Sequence, residues 1–475
     1  MDRPNIICVS VDSLRSDFCS FSENPGENTT PFLQSLIDEA TLFTNTISPS
    51  IWTLPVHTSI FSGLFPPEHG VLTGSDVLSE SHPTFAEILS ESGYSTNAFY
   101  TNAWLDTADI LRGFDKKNTE DVSDSETQGF SIKHKIAHAA GLLSPKIKYF
   151  LTRSYRGQKQ YREWRGHDPI DGTKGTGGEK TISAAIRETG VQNAPFCWFV
   201  HLNDAHHLYT PPNPYHRLFT NRNTAALTYN VEWWQKRLYY SRSKRLKATA
   251  GDITPPAYEV DTFKNLYRGA IRYCDSLIER LTDELKQVGE WENTILIVFG
   301  DHGDGFGEDG VYGHHFSLHE SVTSVPLLIR DPTGQIPPET VPSPTSLVDI
   351  YATVLGLTGI DGPETNSVDL TEESREYAYS YYDISGHDYY TDAASYGVEQ
   401  DRLPPAKQYG IWGPNGEKVI SYPDRGDYVM SQDADEALRK QLDAHTQQLE
   451  LIESEDRELT DSVERRLVEM GYLRE

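Results

Sequence analysis

The chain has 475 residues, of which 70 are acidic and 42 are basic, so its formal net charge is −28 at pH 7. This length exceeds what one hydrophobic core usually serves, and we expect one large domain with a smaller one. The acidic balance argues against a nucleic-acid-binding surface and favours a heavily hydrated one. We interpret it as adaptation to high salt, with a solubility effect alone as the alternative.

The cysteines and the N-terminal residues indicate the compartment. Cys8, Cys19, Cys197 and Cys274 lie far apart in the sequence, so we expect buried thiols rather than disulfides or a metal-binding cysteine cluster. The opening residues MDRPNIICVSVD show no signal-peptide pattern, and no later apolar run reaches the roughly 18 residues of a transmembrane helix. We therefore expect a soluble, cytoplasmic protein with no transmembrane segment.

Two early segments bring reactive groups to the ends of predicted elements. The apolar run Asn5–Val11 predicts a buried strand that ends at Asp12. Further on, Pro55 predicts the start of a helix with Thr53 just ahead of it. A hydroxyl at a helix N-terminus faces free backbone N–H groups, which suits an anionic ester and an ionised nucleophile. The alternative is that Thr53 serves only as an N-cap.

The middle of the chain contains two segments of unusual composition. A basic, aromatic excursion at about residues 130–165 interrupts the acidic sequence, and it either holds an anionic substrate or packs against an acidic neighbour. Residues 196–200 predict another buried strand, followed closely by His201, His206 and His207. Residues 213–258 are rich in Tyr, Arg and Asn and predict an irregular cover, after which apolar residues at helical spacing predict a long helix over 260–288.

The most informative stretch is residues 294–320. Its β-branched run predicts a strand buried on both faces, which ends at Asp301 and His302, and His314 and His315 follow after a glycine-rich loop. Polar groups at the carboxyl ends of several buried strands lie where open α/β sheets bind their ligands. Carboxylates and imidazoles there can bind a divalent cation, the alternative being a solvated polar loop.

The last hundred residues predict a separate unit. Tyr-rich strand-like segments, a Pro-Asn-Gly turn signal and then two helical patterns indicate a small antiparallel sheet with helices. We place a catalytic α/β domain at residues 1–370 and a smaller C-terminal α+β subdomain at residues 371–475.

Five segments, taken in order, resemble the sulfatase family of the alkaline phosphatase superfamily: PNIICVSVDSLRSD, TPFLQSL, WTLPVHTSIFSGLFPPEHG, VHLNDAHHLYTPP and VFGDHGDGFGEDGVYGHH. The resemblance implies an alkaline-phosphatase-like three-layer α/β/α fold with a large, mostly parallel central sheet. It also implies a smaller C-terminal antiparallel sheet packed with a helix, and a metal-dependent ester hydrolase.

The resemblance also implies roles for individual residues. It places the metal ligands at Asp12, Asp301 and His302. It places the nucleophile at Thr53 and a proton-transferring histidine at His206. A metal ion polarises the ester and lowers the pKa of the nucleophile, while imidazoles neutralise charge on the oxygens or protonate the leaving one.

The chain departs from the family pattern at several positions. Sulfatases that use formylglycine carry it in a C/S-x-P-x-R frame, whereas this chain has Thr53 and, in place of the arginine, His57. Ser13 stands where the family has a second aspartate, and His314 stands where sulfatases use a lysine. At these positions the resemblance makes His57 and His314 catalytic candidates beside Thr53 and His206. An unmodified hydroxyl and missing cations are similar to the phosphoryl-transferring relatives of the family, in which Thr or Ser attacks phosphorus.

The hypothesis from sequence is a hydrolase or transferase that cleaves a phosphate or sulfate ester through a covalent Thr53 intermediate, with phosphodiester or phosphonate chemistry favoured. The alternatives are a formylglycine-independent sulfatase and a non-catalytic ligand-binding relative. The cofactor is Mn²⁺, Mg²⁺, Ca²⁺ or Zn²⁺, one ion or two, depending on whether His57, His206, His314 or His315 form a second cluster. The expected partner is an anionic ester on a glycan or lipid head group, with no nucleic acid; the oligomeric state is left open.

Overall fold

The computed structural model describes residues 3–22, 27–118, 176–189, 195–385, 388–449, 455–457 and 459–469. The basic excursion predicted at about residues 130–165 lies outside these described residues. Within them, no helix has both the length and the apolar character that crossing a membrane requires. All four cysteines are buried and free, as the sequence predicts.

A nine-stranded sheet forms the centre of the fold. Its strands are β1 (Asn5–Val11), β2 (Thr41–Ile47), β3 (Ser95–Tyr100), β4 (Asp115–Asn118), β5 (Phe196–Leu202), β6 (Thr294–Gly300), β7 (Ser324–Arg330), β8 (Thr340–Val341) and β9 (Thr345–Ser346). Across the sheet the order is β8-β2-β7-β6-β1-β5-β3-β4, and β9 also pairs with β2. Strand β7 runs antiparallel to β2 and β6, and the other pairs are parallel.

Helices surround this sheet. The α-helices are α1 (Pro31–Ser35), α2 (Thr53–Ser62), α3 (Pro66–His69), α4 (Phe85–Glu91), α5 (Gly177–Thr189), α6 (Thr224–Tyr229), α7 (Lys236–Tyr239), α8 (Arg242–Thr249), α9 (Ala257–Val288), α10 (Glu320–Thr323), α11 (Ile350–Thr358), α12 (Asp388–Thr391), α13 (Glu436–Gln448) and α14 (Asp461–Glu469). A π-helical segment, Asn230–Gln235, joins α6 to α7.

Successive residues of β1 face opposite sides of the sheet, and both sides are buried. Ile7 and Val9 pack in a core with residues of α5 and α9, while Ile6 and Cys8 pack in a second core with residues of α2, α4 and α11. The sequence of a strand that is covered on both faces is a continuous apolar run, rather than an alternation of apolar and polar residues. These two cores make the sheet the middle layer of an α/β/α sandwich, which confirms the predicted fold class.

A second, smaller sheet follows the central one in the chain. It is antiparallel, with strands β10 (Ala378–Asp383), β11 (Lys407–Trp412), β12 (Lys418–Tyr422) and β13 (Asp427–Met430). Leu438 and Leu442 of α13 pack against its tyrosines. This confirms the predicted sheet and helix. The sequence did not predict β13, whose four residues are all exposed and therefore carry no alternating pattern.

Helix α2 begins earlier than the sequence predicts. Its first residue is Thr53, and Pro55 is its third residue. Proline is tolerated there because the backbone N–H groups of a first helical turn have no partner within the helix. Trp52 holds the N-cap position, so the alternative in which Thr53 is only the N-cap is wrong.

The cover over residues 213–258 is largely helical, where the sequence predicts an irregular segment. It contains α6, the π-helical segment, α7 and α8, and each of these is eight residues long or shorter. Single apolar side chains anchor it, namely Leu227, Val231, Leu238 and Leu246, all at most 1% exposed. Elements this short do not repeat an apolar face often enough to show helical periodicity.

The core around α2 allows a test of stability. Phe61 is fully buried, and its ring centroid lies 5.0 Å from that of Phe199 and 5.6 Å from those of Phe85 and Phe114. We expect Phe61→Ala to lower the free energy of unfolding by about 3–5 kcal/mol, because it removes buried apolar contacts and leaves a cavity. Urea unfolding followed by circular dichroism measures this. Val429→Ala on the exposed β13 is the control, and an equal loss in both variants would contradict the prediction.

Candidate active site

The carboxyl ends of β1 and β6 bring the predicted metal ligands together. Val11 pairs with Gly300 at the ends of these parallel neighbours, so the next residues, Asp12 and Asp301, lie side by side. Both carboxylates and the His302 imidazole are fully buried. One ligand atom from each of the three residues lies within 4.8 Å of the others. The sheet thus gathers the Asp/Asp/His set.

Two atoms of this set are buried without hydrogen-bond partners. They are Asp301 Oδ2 and His302 Nε2, which lie 3.6 Å apart. His302 Nε2 also lies 3.6 Å from Asp12 Oδ1. A buried polar atom without a partner costs about 1–3 kcal/mol. Because carboxylate oxygens and a neutral imidazole nitrogen are ligands of divalent cations, these residues could bind one.

The electrostatics of the set also favour a cation. Burial, together with the negative charge of Asp12, raises the pKa of Asp301 well above its usual value. Burial raises the pKa of Asp12 as well, but the neighbouring His206, His201 and His302 more than reverse this and lower it. Burial, aided by His314, lowers the pKa of His302 to about 3, so its ring is neutral at pH 7. The neutral ring is the form that coordinates a metal.

Polar neighbours orient the two carboxylates. Asn102 Nδ2 donates to Asp12 Oδ2 at 3.1 Å, and the Ser13 hydroxyl donates to Asp12 Oδ1 at 3.0 Å. The backbone N–H groups of Ser13 and His302 donate to Asp301 Oδ1. Asn102 was not predicted from sequence, although its position two residues past the end of β3 places it at the same edge of the sheet.

Thr53 is tied to this cluster through His57. The Thr53 carbonyl accepts a hydrogen bond of 2.7 Å from His57 Nδ1, and the same nitrogen lies 3.9 Å from Asp301 Oδ2. His57 Nε2 is 2.9 Å from the hydroxyl of Ser10 on β1. Burial, together with His201, lowers the pKa of His57 to about 3. The first turn of α2 is therefore held against β1 and β6 by a neutral, buried imidazole.

A second group of buried side chains surrounds Asp304. His314 Nδ1 donates to Asp304 Oδ1 at 2.7 Å, while His207 Nδ1 at 3.3 Å and the Tyr209 hydroxyl at 2.6 Å donate to Asp304 Oδ2. Burial raises the pKa of Asp304, but the His314 and His207 imidazoles and their hydrogen bonds lower it well below its usual value. His206 lies beside them, with its ring centroid 4.0 Å from that of His207 and 5.1 Å from that of His314.

The two groups are adjacent. The ring centroids of His302 and His314 are 4.5 Å apart. The sequence left open which histidines cluster; the structure groups His206 and His314 with His207. It groups His57 with His201 and Asp301 instead. His315, next in the chain, bonds to the Arg245 guanidinium through its Nε2.

Comparison with known protein families matches residues 4–360 to the model described as Sulfatase. This range covers most of the chain. The chain belongs to the sulfatase family. Membership confirms the resemblance noted from the five sequence segments.

Among characterised relatives, arylsulfatase K of Bos taurus is 23% identical over 389 residues, which cover 77% of this chain and 64% of that protein. The sulfatase-family chain thus spans less than two thirds of the length of that relative. Choline-sulfatase of Rhizobium meliloti (strain 1021) is 22% identical over 402 residues, covering 78% of this chain and 73% of that protein.

A solved structure shares the fold over nearly the whole chain. The phosphonate monoester hydrolase of Agrobacterium radiobacter superposes with a TM-score of 0.65 at 20% sequence identity, covering 96% of this chain and 100% of that chain. At this identity the likeness establishes the architecture, and the arrangement of this chain's own side chains carries the argument about function.

The Asp/Asp/His set predicts that a divalent ion stabilises the folded protein against unfolding. After treatment with a chelator, we expect added Mg²⁺ to raise the melting temperature of the wild type, because an ion at 100 times its Kd adds about 2.7 kcal/mol to the free energy of unfolding. Asp301→Asn removes one ligand charge and should abolish the rise. Differential scanning fluorimetry measures it.

Asp252→Asn is the matched control for this prediction. Asp252 is a partly exposed aspartate paired with Arg402, and it belongs to none of the metal-capable clusters found among the described residues. We expect this variant to keep the Mg²⁺-dependent rise in full. A rise that persists unchanged in Asp301→Asn would show that the ion binds elsewhere.

Proposed function

We propose that this sulfatase-family protein is a metal-dependent hydrolase or transferase that cleaves a phosphate or sulfate ester through a covalent Thr53 intermediate. Phosphodiester or phosphonate-type esters are the favoured substrates. The observation that carries the proposal is the shared contact of His57 Nδ1 with the Thr53 carbonyl and the Asp301 carboxylate, which ties a hydroxyl-bearing residue to a cation-binding group.

Asp12, Asp301 and His302 would hold the divalent ion, which is Mn²⁺, Mg²⁺, Ca²⁺ or Zn²⁺. When bound, such an ion polarises the ester and lowers the pKa of a nearby hydroxyl. Asn102 and Ser13 support this role, because their hydrogen bonds fix the orientation of the Asp12 carboxylate. Fixed ligands keep the site preorganised for an anionic substrate.

Thr53 reacts as the nucleophile. It is the first residue of α2, where the positive end of the helix dipole favours an alkoxide and an anionic ester. Its Oγ1 gives up its proton to solvent and forms a bond to phosphorus while the bond from phosphorus to the leaving oxygen breaks. Water, or an acceptor alcohol in a transferase, then loses a proton and attacks the phosphoryl group, and the released Thr53 oxygen takes a proton up again.

The histidines act on the charges that develop during these steps. His206 stabilises the negative charge on the leaving oxygen by donating a proton to that oxygen. It then takes a proton back from the attacking water. His314, held by Asp304, lies next to His302 and would face the non-leaving oxygens. His57 stays buried and serves to position α2 against the strands.

One observation supports phosphorus over sulfur as the reaction centre: the proposed nucleophile position holds a threonine, and formylglycine chemistry would need an aldehyde there. The shared fold does not decide between the two, because a phosphonate monoester hydrolase and a 2-O GAG sulfatase both have it. The second candidate is a formylglycine-independent sulfatase, and the names of the characterised relatives, arylsulfatase K and choline-sulfatase, favour it.

The nucleophile assignment predicts the effect of removing one hydroxyl. We expect Thr53→Ala to lower turnover at least about 1,000-fold, because the covalent step loses its attacking oxygen, whereas Thr53→Ser keeps a hydroxyl and substantial activity. Turnover is measured on nitrophenyl phosphodiester, phosphonate, phosphate monoester and sulfate substrates at high salt. Thr58→Ala, in the same buried helix with its hydroxyl bonded to the Leu54 carbonyl, is the control and should stay active.

The substrate panel separates the candidate functions. Loss of phosphodiester or phosphonate turnover in Thr53→Ala supports the favoured proposal. Turnover of the sulfate ester alone overturns it in favour of the sulfatase. Ion binding without turnover of any ester identifies a ligand-binding relative that has lost catalysis.

The role of His206 predicts a dependence on the leaving group. We expect His206→Gln to lower turnover about 100- to 10,000-fold for esters with poorly acidic alcohols and far less for nitrophenyl esters, whose leaving oxygen needs little stabilisation. A plot of turnover against the pKa of the leaving alcohol measures this and should steepen in the variant. The control is His82→Gln, at a half-buried histidine that belongs to none of the clusters described above and whose backbone carbonyl accepts a hydrogen bond from Arg112. Equal losses on all esters would remove His206 from this role.

A further inference from the structure

We propose that a surface of the cover, formed by Tyr229, Trp233, Arg237 and Tyr258, docks on an anionic lipid bilayer. The cover, residues 213–258, contains eight basic residues and only two acidic ones, whereas the whole chain has a formal net charge of −28. The sign of the charge is therefore reversed in this segment. A basic segment in an otherwise acidic protein favours an anionic partner.

Exposed aromatic side chains accompany this charge. Within the described residues, nine large apolar side chains are exposed, and five of them belong to the cover. These five expose 39–60% of their surface, and they are Leu218, Tyr229, Trp233, Tyr240 and Tyr258. Exposed apolar side chains that are concentrated in one part of a protein mark a binding surface.

Three side chains of the docking surface form a ladder along the helical stretch from α6 to α7. The ring centroids of Tyr229 and Trp233 are 6.3 Å apart, and the ring planes differ by 12°. The guanidinium carbon of Arg237 lies 4.7 Å from the Trp233 ring centroid. The three residues follow one another at intervals of four, which places their side chains on one side of a helix.

Tyr258 lies beside the first end of this ladder. Asn230, next to Tyr229, donates from its Nδ2 to the carbonyl of Glu259, next to Tyr258, at 3.1 Å. The guanidinium carbon of Arg222 lies 5.6 Å from the Tyr258 ring centroid. A second pairing of an exposed aromatic ring with an arginine thus extends the surface that begins at Tyr229.

The geometry of the ladder favours a bilayer over a sugar chain as the partner. Tyr229 and Arg237 precede and follow Trp233 by four residues, so they cover its ring from opposite sides. A sugar stacks on an open aromatic face, and Trp233 offers none. At a bilayer surface, Trp and Tyr rings lie among the head groups, with an apolar body and a polar tip. Arginine beside them attracts anionic head groups.

The negative charge of the whole chain does not oppose this docking. At physiological ionic strength, salt screens charges that lie more than about 8 Å apart. Only the charges near the contact therefore act on the bilayer, and those of the cover are mostly positive.

The inner side of the cover contacts the candidate active site. The ring of Tyr239, next to the exposed Tyr240, stacks on that of His207 with the centroids 4.3 Å apart. The Gln235 side chain accepts a hydrogen bond of 2.8 Å from the backbone N–H of Tyr209. Docking thus brings the site to the bilayer, where the substrate is an ester of a lipid head group. This substrate class rests on the proposed function, whereas the docking does not.

The test measures how much of the full chain sediments with lipid vesicles, without any ester substrate. The vesicles are phosphatidylcholine alone or an equal mixture of phosphatidylcholine and phosphatidylglycerol, at the lowest salt concentration at which circular dichroism shows a folded chain. We expect the anionic vesicles to bind the protein at least about fivefold more tightly, because each basic residue near the surface contributes. Equal binding to both vesicles, or no binding, overturns the proposal.

Variants of the ladder locate the contact. We expect Trp233→Ala to weaken binding to the anionic vesicles about tenfold and Arg237→Gln about fivefold. Tyr428→Ala and Arg439→Gln are the matched controls, because Tyr428 is exposed in the C-terminal subdomain and the Arg439 guanidinium carbon lies 5.1 Å from its ring centroid. These two should bind like the wild type, and equal losses in both pairs would overturn the proposal.

Two further outcomes are distinguishable. Binding to immobilised dextran sulfate but to no vesicle would overturn the proposal in favour of an acidic glycan. Vesicle binding without turnover of any ester leaves the docking in place and refutes the proposed function. Turnover of esters without vesicle binding supports the proposed function and refutes the docking.

Discussion

The buried carboxylates of Asp12 and Asp301, side by side at the ends of two parallel strands, set the central constraint on this structure. Each is fully buried, and the charge of one raises the pKa of the other. Burying like charges costs free energy unless donors and a cation offset it. The neighbouring backbone N–H groups, Asn102 and Ser13 supply the donors. A cation would offset the rest, and Asp301 Oδ2, which is buried without a hydrogen-bond partner, belongs to the set of residues that could bind one.

The segment that carries Thr53, the proposed nucleophile, is a fully buried helix beside these carboxylates. All ten residues of α2 are buried, so the core on one side of the sheet holds the helix, and His57 holds its first turn. Packing, rather than a flexible loop, thus fixes the position of Thr53. The proposed covalent step would require such rigid support, because small displacements of a nucleophile cost large factors in rate.

The sequence was informative where strands end. Asp12, Asp301 and His302 follow long apolar runs, and parallel strands bring such positions to one edge, so their meeting was predictable. Asp304 was not predicted, because its partners His207, Tyr209 and His314 lie on loops whose paths depend on distant packing. The start of α2 was placed two residues late because proline is tolerated throughout a first helical turn, not only at its first position. The short helices of the cover and the exposed β13 were missed because they lack the apolar repeat that reveals an element.

The position of β1 in the sheet bears on how the chain is made. β1 is the first strand of the sheet in chain order, yet its two neighbours are made much later, since Ile6 pairs with both Cys197 and Ile295. Until those strands leave the ribosome, an apolar strand with two open edges has no native partner. Such segments favour association with other chains. Only 24 of the 70 acidic residues lie among the first 200, where 17 basic residues largely offset them, so most of the like-charge repulsion that opposes such association is added only after β5 has been made.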